Sequence, residues 1–133
     1  MRSARVLFVC TGNICRSPTA EGVLRHKAAA AGLAEAFEIE SAGLARYHIG
    51  DPPDARAQRQ AATRGYDLSD QRARSVVRDD FERFDLLLGM DRSHVRDLGR
   101  LAPPERAERV RLFLDFTPGL EGRDVPDPYY GDQ

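Results

Sequence analysis

Val6-Leu7-Phe8-Val9-Cys10-Thr11-Gly12-Asn13-Ile14-Cys15-Arg16-Ser17-Pro18 reads as a buried strand that passes through a short loop into a helix. An unbroken apolar run of this kind belongs to a strand covered on both faces, Gly-Asn supplies a turn, and Ser-Pro opens a helix. Loop amides and the positive end of the helix then point at one spot, which suits an anion such as phosphate. Cys10 stands at the floor of that spot, with five residues between it and Arg16.

Each residue type in the loop fits that chemistry. The thiolate is the nucleophilic form of cysteine, and helix N-termini and nearby cations stabilise it. Arg16 offers a planar fork that can hold two phosphoryl oxygens, a geometry that lysine lacks. Gly12 and Asn13 suit the positive φ values that let successive N–H groups form a nest, and the Ser17 hydroxyl can donate to sulfur. The expected phosphate-binding set is therefore Thr11, Gly12, Asn13, Ile14, Cys15, Arg16 and Ser17. The plainer alternative makes Cys10 a buried strand-end thiol and Arg16 a solvated helix residue. The agreement of strand, turn and helix start around one spacing favours the chemical reading.

Outward from this stretch, the pattern predicts strands over 5–10, 37–41, 85–90 and 109–116 and helices beginning near Ser17, Pro53, Val77 and Asp91. Alternation of this kind predicts an α/β fold, a single domain over residues 1–133 with a four-stranded parallel sheet flanked by helices, Rossmann-like or flavodoxin-like. Leu86-Leu87-Leu88 reads as a strand covered on both faces, whereas Val110, Leu112, Leu114 and Phe116 alternate as an edge strand does. Ala20, Val23, Leu24, Ala28 and Ala31 fall on one face of the first helix, and Gly32 reads as its stop. In an open parallel sheet the ligand crevice lies beyond the carboxyl ends of the strands, where Cys10, Ser41-Ala42-Gly43 and Met90-Asp91 all fall.

Near the end of the sequence, Val125-Pro126-Asp127-Pro128-Tyr129-Tyr130-Gly131 sets a carboxylate between two prolines. Both rings stiffen the backbone, so Asp127 can project from a rigid loop beside two aromatic faces. Alone, that pattern is only a turn.

Taken together, the two segments resemble the low-molecular-weight protein tyrosine phosphatases, whose phosphate loop reads Cys-x-Gly-Asn-x-Cys-Arg-Ser and whose general acid sits in Asp-Pro-Tyr. The resemblance extends to Pro18, Ala20 and Glu21, to Ser41-Ala42-Gly43 and to Met90-Asp91. It implies that Cys10 is the nucleophile, Arg16 the phosphate clamp, Ser17 the hydrogen-bond donor to the thiolate, and Asp127 the proton donor. Asn13 with Ser41 would brace the loop, and Tyr47, Tyr129 and Tyr130 would wall a slot deep enough for an aryl phosphate. The implied reaction is hydrolysis of protein phosphotyrosine through a phosphocysteine, without cofactor or metal. Phosphotyrosine proteins are the implied partners, with a tyrosine kinase as the counterpart known from bacterial relatives. The family continues past Asp-Pro-Tyr-Tyr-Gly through one more amphipathic helix, so a sequence that stops at Gln133 is expected to show the fold without it.

Two rival chemistries use the same loop. Arsenate reductase-like oxidoreductases pass a redox relay to downstream cysteines, and no cysteine follows Cys15. Protein-arginine phosphatases tend to carry threonine where Ile14 stands, and an apolar Ile14 favours an aryl substrate. Cys10 and Cys15 could still join as a protective disulfide under oxidation.

The composition is consistent with this reading. Twenty basic residues, all arginine except Lys27, stand against 21 acidic ones for a net charge of −1, which gives no field for nucleic acid or an anionic membrane. Arg72, Arg74 and Arg78 are expected on a solvated face. The apolar stretch from Val6 is too short for a signal peptide, no run is long enough for membrane insertion, and two cysteines in one loop are no secreted disulfide framework. A cytoplasmic monomer or weak dimer is expected. His26, His48 and His94 share no ligand spacing and read as surface or packing residues.

Overall fold

The structure, a computed structural model, describes residues 3–126. Strand β1 (Ala4–Cys10) is followed by helix α1 (Arg16–Ala30), strand β2 (Phe37–Gly43), helix α2 (Ala55–Ala62), a single-turn helix α3 (Asp80–Arg83), strand β3 (Leu86–Gly89), helix α4 (Arg92–Leu101) and strand β4 (Val110–Leu112). The strands form one sheet in the order β2-β1-β3-β4, every pair parallel. This is the doubly wound arrangement that the alternation predicts.

Central strand β1 splits its residues between two cores, because successive side chains of a strand point to opposite faces. Leu7 and Val9 enter a cluster with Ala42, Phe81, Phe84, Leu87, Leu98 and Val110. Val6, Phe8 and Cys10 enter the other with Ile39, Leu88 and Met90, against which Ala20, Leu24 and Phe113 pack. Cys10 pairs with Gly43 of β2 while Val9 pairs with Gly89 of β3, so three strands end at one level. Their carboxyl ends meet where the loop after Cys10 begins.

Three expectations change in detail. The strand expected over 109–116 ends at Leu112, and Phe113–Phe116 turns as a 3-10 helix, which leaves Phe116 half exposed instead of alternating inward. The helix expected near Val77 is only Asp80–Arg83, opened where the Val77 amide donates to the Asp80 carboxylate. On α1 the buried set includes Glu21 and Gly22, while Ala31 is exposed and serves as the C-cap before Gly32 at φ 75. The inner face of α1 is thus partly polar at its N-terminal end, where it meets the loop.

Phe84 is fully buried between the sheet and α3. Phe84→Ala should destabilise the fold by about 3–5 kcal/mol, read as a lower midpoint in urea unfolding with an unchanged slope.

Candidate active site

Cys10 closes β1, five residues form the loop, and Arg16 begins α1. Four loop carbonyls are turned outward and taken by neighbouring amides. Leu44 N–H donates to Cys10 O (3.0 Å), Ala45 N–H to Thr11 O (2.8 Å), Asp54 N–H to Ile14 O (2.7 Å) and Thr19 N–H to Cys15 O (3.2 Å). A peptide's N–H points opposite to its C=O, so outward carbonyls leave amides facing the concave side, the geometry of an anion nest. Asn13 alone among non-glycine residues has a positive φ, 57°, among the described residues. Gly12 is not at positive φ, contrary to the expectation. Its missing side chain makes room instead for His48, whose Cδ2 would lie 3.0 Å from a Cβ there. Gly43 is needed for a similar reason, since a Cβ would lie 2.8 Å from Thr11 O.

Cys10 is 3% exposed, and its sulfur lies 3.0 Å from Ser17 Oγ and accepts from Asn13 N–H at 3.3 Å. The direction of the bonds behind it can be followed from one anchor. Glu21, ion-paired to Arg25 at 2.9 Å, accepts from Ser41 Oγ at 2.6 Å. Ser41 Oγ then accepts from Asn13 Nδ2 at 2.9 Å, and the same Nδ2 donates to Ser17 Oγ at 2.9 Å. Asn13 Oδ1 takes the Arg74 amide at 3.0 Å. With its oxygen accepting from Asn13, Ser17 has its own proton to give, and Cys10 Sγ is in position to take it. Burial raises the Glu21 carboxyl, against the lowering effects of Ser41 and Arg25.

Arg16 is buried as well, its side chain 6% exposed. Its Nη1 donates to Asp91 Oδ2 at 3.0 Å and to Val125 O at 2.9 Å, which fixes the guanidinium plane from outside the loop. Asp91 is the N-cap of α4, and its Oδ1 takes the amides of Ser93 and His94. Although burial pushes the Asp91 carboxyl up, hydrogen bonds from Ser93 and Arg16 outweigh it and hold it at about 2.

Thr11, Gly12, Asn13, Ile14, Cys15, Arg16, Ser17 and Ser41 are thus brought together as expected. Tyr47 is 72% exposed, its ring 4.7 Å from that of His48, on the loop after β2. Asp127, Tyr129 and Tyr130 lie outside the described residues. One residue before the described chain ends, Val125 N–H donates to Met90 O at 2.8 Å and Val125 O accepts from Arg16.

Four further residues support the site without a role legible in the sequence. Glu21 and Asp91 stand in the matched segments, Arg74 was expected to be solvated, and His94 was expected at the surface or in packing. Arg74 instead makes a two-pronged ion pair with Asp80, both bonds 3.0 Å, while its backbone holds Asn13. The spacing Asp91-x-x-His94 carried a usable signal, an N-cap with a side chain three residues on that can return to it. Among the described residues no group of acidic, histidine or cysteine side chains could hold a metal, and no helix is long and apolar enough to cross a membrane.

Asp91 predicts an acid limit to stability. Its carboxyl lies below its ordinary 3.8 in the folded state, so the stabilisation is complete above that value and is lost as pH falls through about 2. Glu21 acts in the opposite sense, since a raised carboxyl favours the folded state below its unfolded value. Between pH 4 and 2, Asp91→Asn should therefore lose less stability than wild type by about 1–2 kcal/mol, measured by denaturant unfolding at each pH. Parallel curves would show that folding does not lower the Asp91 carboxyl.

Comparison with known proteins agrees with this geometry. A family model described as Low molecular weight phosphotyrosine protein phosphatase matches residues 5–133. A low molecular weight protein-tyrosine-phosphatase of Streptomyces coelicolor is 48% identical over 130 residues, covering 96% of this chain and 79% of that protein. The crystal structure of YfkJ from Bacillus subtilis superposes with a TM-score of 0.93 at 37% identity, covering 98% of this chain and 82% of that one. A protein tyrosine phosphatase from Entamoeba histolytica, solved with Hepes in its active site, gives a TM-score of 0.91 at 37% identity, with 98% and 83% covered. A loop whose Asn13 amide meets a buried sulfur, at the carboxyl edge of a 2-1-3-4 parallel sheet, thus accompanies a match over nearly the whole sequence, and the chain belongs to the low molecular weight phosphotyrosine protein phosphatase family.

Proposed function

We propose that this chain hydrolyses phosphotyrosine in proteins, and small aryl phosphates, through a phosphocysteine intermediate. Cys10 Sγ attacks phosphorus while the bond from phosphorus to the aryl oxygen breaks, and Asp127 gives its proton to the departing phenolate. Water then attacks the phosphocysteine, Asp127 takes a proton from it, and inorganic phosphate leaves as the thiolate is regenerated. Arg16 and the loop amides hold the three equatorial oxygens throughout, where their charge grows in the transition state. Tyr47, Tyr129 and Tyr130 are assigned to the walls of the slot that takes the ring.

The observation that carries this reading is the setting of the Cys10 sulfur. It is buried at the floor of a loop whose carbonyls face away, with Ser17 Oγ at 3.0 Å and the Asn13 amide at 3.3 Å, and Arg16 tethered beside the loop. A packing cysteine needs none of these donors. Phosphorylated proteins follow as the substrate class. The unified net charge of −1 supplies no long-range attraction, so selection rests on the slot itself.

Two experiments test the assignments. Cys10→Ser should bind inorganic phosphate while losing turnover of p-nitrophenyl phosphate, because an unactivated hydroxyl is a far weaker nucleophile. Residual turnover within about tenfold of wild type would rule out a phosphocysteine. Asp127→Ala should lose on the order of 10²–10⁴ in rate on phenyl phosphate, and less on p-nitrophenyl phosphate, whose phenolate leaves without help. Equal losses on both substrates would mean that the proton comes from another group.

A further inference from the structure

His94 is 1% exposed and sits in the first turn of α4, beneath the phosphate loop. Its Nδ1 is 3.1 Å from the Asp91 amide nitrogen. A backbone N–H can only donate, so Nδ1 must carry its lone pair, and in the neutral ring the proton is on Nε2. Nε2 lies 2.9 Å from Thr11 Oγ1 and therefore donates to it. The helix cap thus selects the tautomer, and the tautomer selects the direction of the bond to the loop.

Both ends of the loop are tied to this one junction. Thr11, the first residue after Cys10, is held by His94, and Arg16, at the far end, is held by Asp91 at 3.0 Å. Asp91 and His94 are in turn locked together by their reciprocal cap. The other braces on Thr11 and Asn13 from outside the loop come from the opposite side. Ala45 N–H on Thr11 O, Ser41 on Asn13 and the Arg74 amide on Asn13 all belong to β2 or to segments beyond it. Without the His94 contact, the first half of the loop would be held from the β2 side alone.

We propose that His94 is a positioning residue for the phosphate loop, acting through the Thr11 hydroxyl to set the loop's register against the β3–α4 junction. This rests on the phosphatase reading only in that the loop binds phosphate. Thr11 then contributes a side chain as well as an amide. Loss of this one hydrogen bond should weaken phosphate binding about fivefold, the worth of one ordinary hydrogen bond.

The test is a double-mutant cycle read by calorimetric titration with inorganic phosphate. Thr11→Val removes the hydroxyl at nearly constant shape, and Thr11→Ser restores it. His94→Asn keeps an acceptor for the Asp91 amide but is too short to reach Thr11. Thr11→Val and His94→Asn should each weaken phosphate about fivefold, the double variant should be no weaker than the worse single, and Thr11→Ser should bind within twofold of wild type. Independent, multiplying losses in the double variant would overturn the proposal. So would a Thr11→Val protein within twofold of wild type, or a loss that Thr11→Ser fails to restore. If His94→Asn does not fold, the Thr11 pair decides alone. Wild type that binds phosphate but turns over no aryl phosphate would sink the phosphatase reading and leave this cycle standing.

Discussion

Asn13 at φ 57° is the constraint on which the loop depends. A left-handed residue in mid-loop reverses the chain tightly enough to turn the carbonyls out and the amides in, and asparagine tolerates that conformation better than most side chains. Its amide group offsets the cost. Nδ2 donates to Ser17 and Ser41, Oδ1 takes the Arg74 amide, and its own N–H reaches the Cys10 sulfur. One residue therefore sets backbone geometry and side-chain register together, and aspartate in its place would lose both donated bonds.

Behind Asn13, charge is spent on direction more than on stability. A buried carboxylate at Glu21 fixes which way Ser41 points its proton, and this orients the amide and then the Ser17 hydroxyl. Burying Glu21 opposes its ionisation, and Arg25 offsets part of that. On the other side of the loop the same economy recurs. Asp91 serves as helix cap and as the anchor of Arg16, so the groups that begin α4 also fix the guanidinium.

The legible part of the chain was what rests on local chemistry. Hydrophobic runs announced β1 and β3, Gly32 marked the end of α1, and the spacing from Cys10 to Ser17 identified the loop, because each of these signals lies within a few consecutive residues. What lay hidden depends on contacts across sequence. Arg74 resembles any surface arginine until Asp80 and Glu40 close on it, and His94 resembles a helix-face histidine until β3 brings it under Thr11, 83 residues away in the chain. The strand expected over 109–116 failed for a tertiary reason as well. Alternation continues to Phe116, but pairing with β3 stops at Gly89 opposite Leu112.

The parallel topology has a consequence for the order in which the protein comes into being. No crossover connection can close until its second strand exists, and the tethers on Arg16 and Thr11 belong to residues 91 and 94. During synthesis the loop is made early and its supports arrive late, after some eighty residues of intervening chain. An anion that binds the finished loop better than the slack one therefore favours the docked sheet by mass action. Dissolved phosphate would in that sense act as a ligand for folding, drawing the nascent chain toward the arrangement in which β3 and α4 have closed on β1.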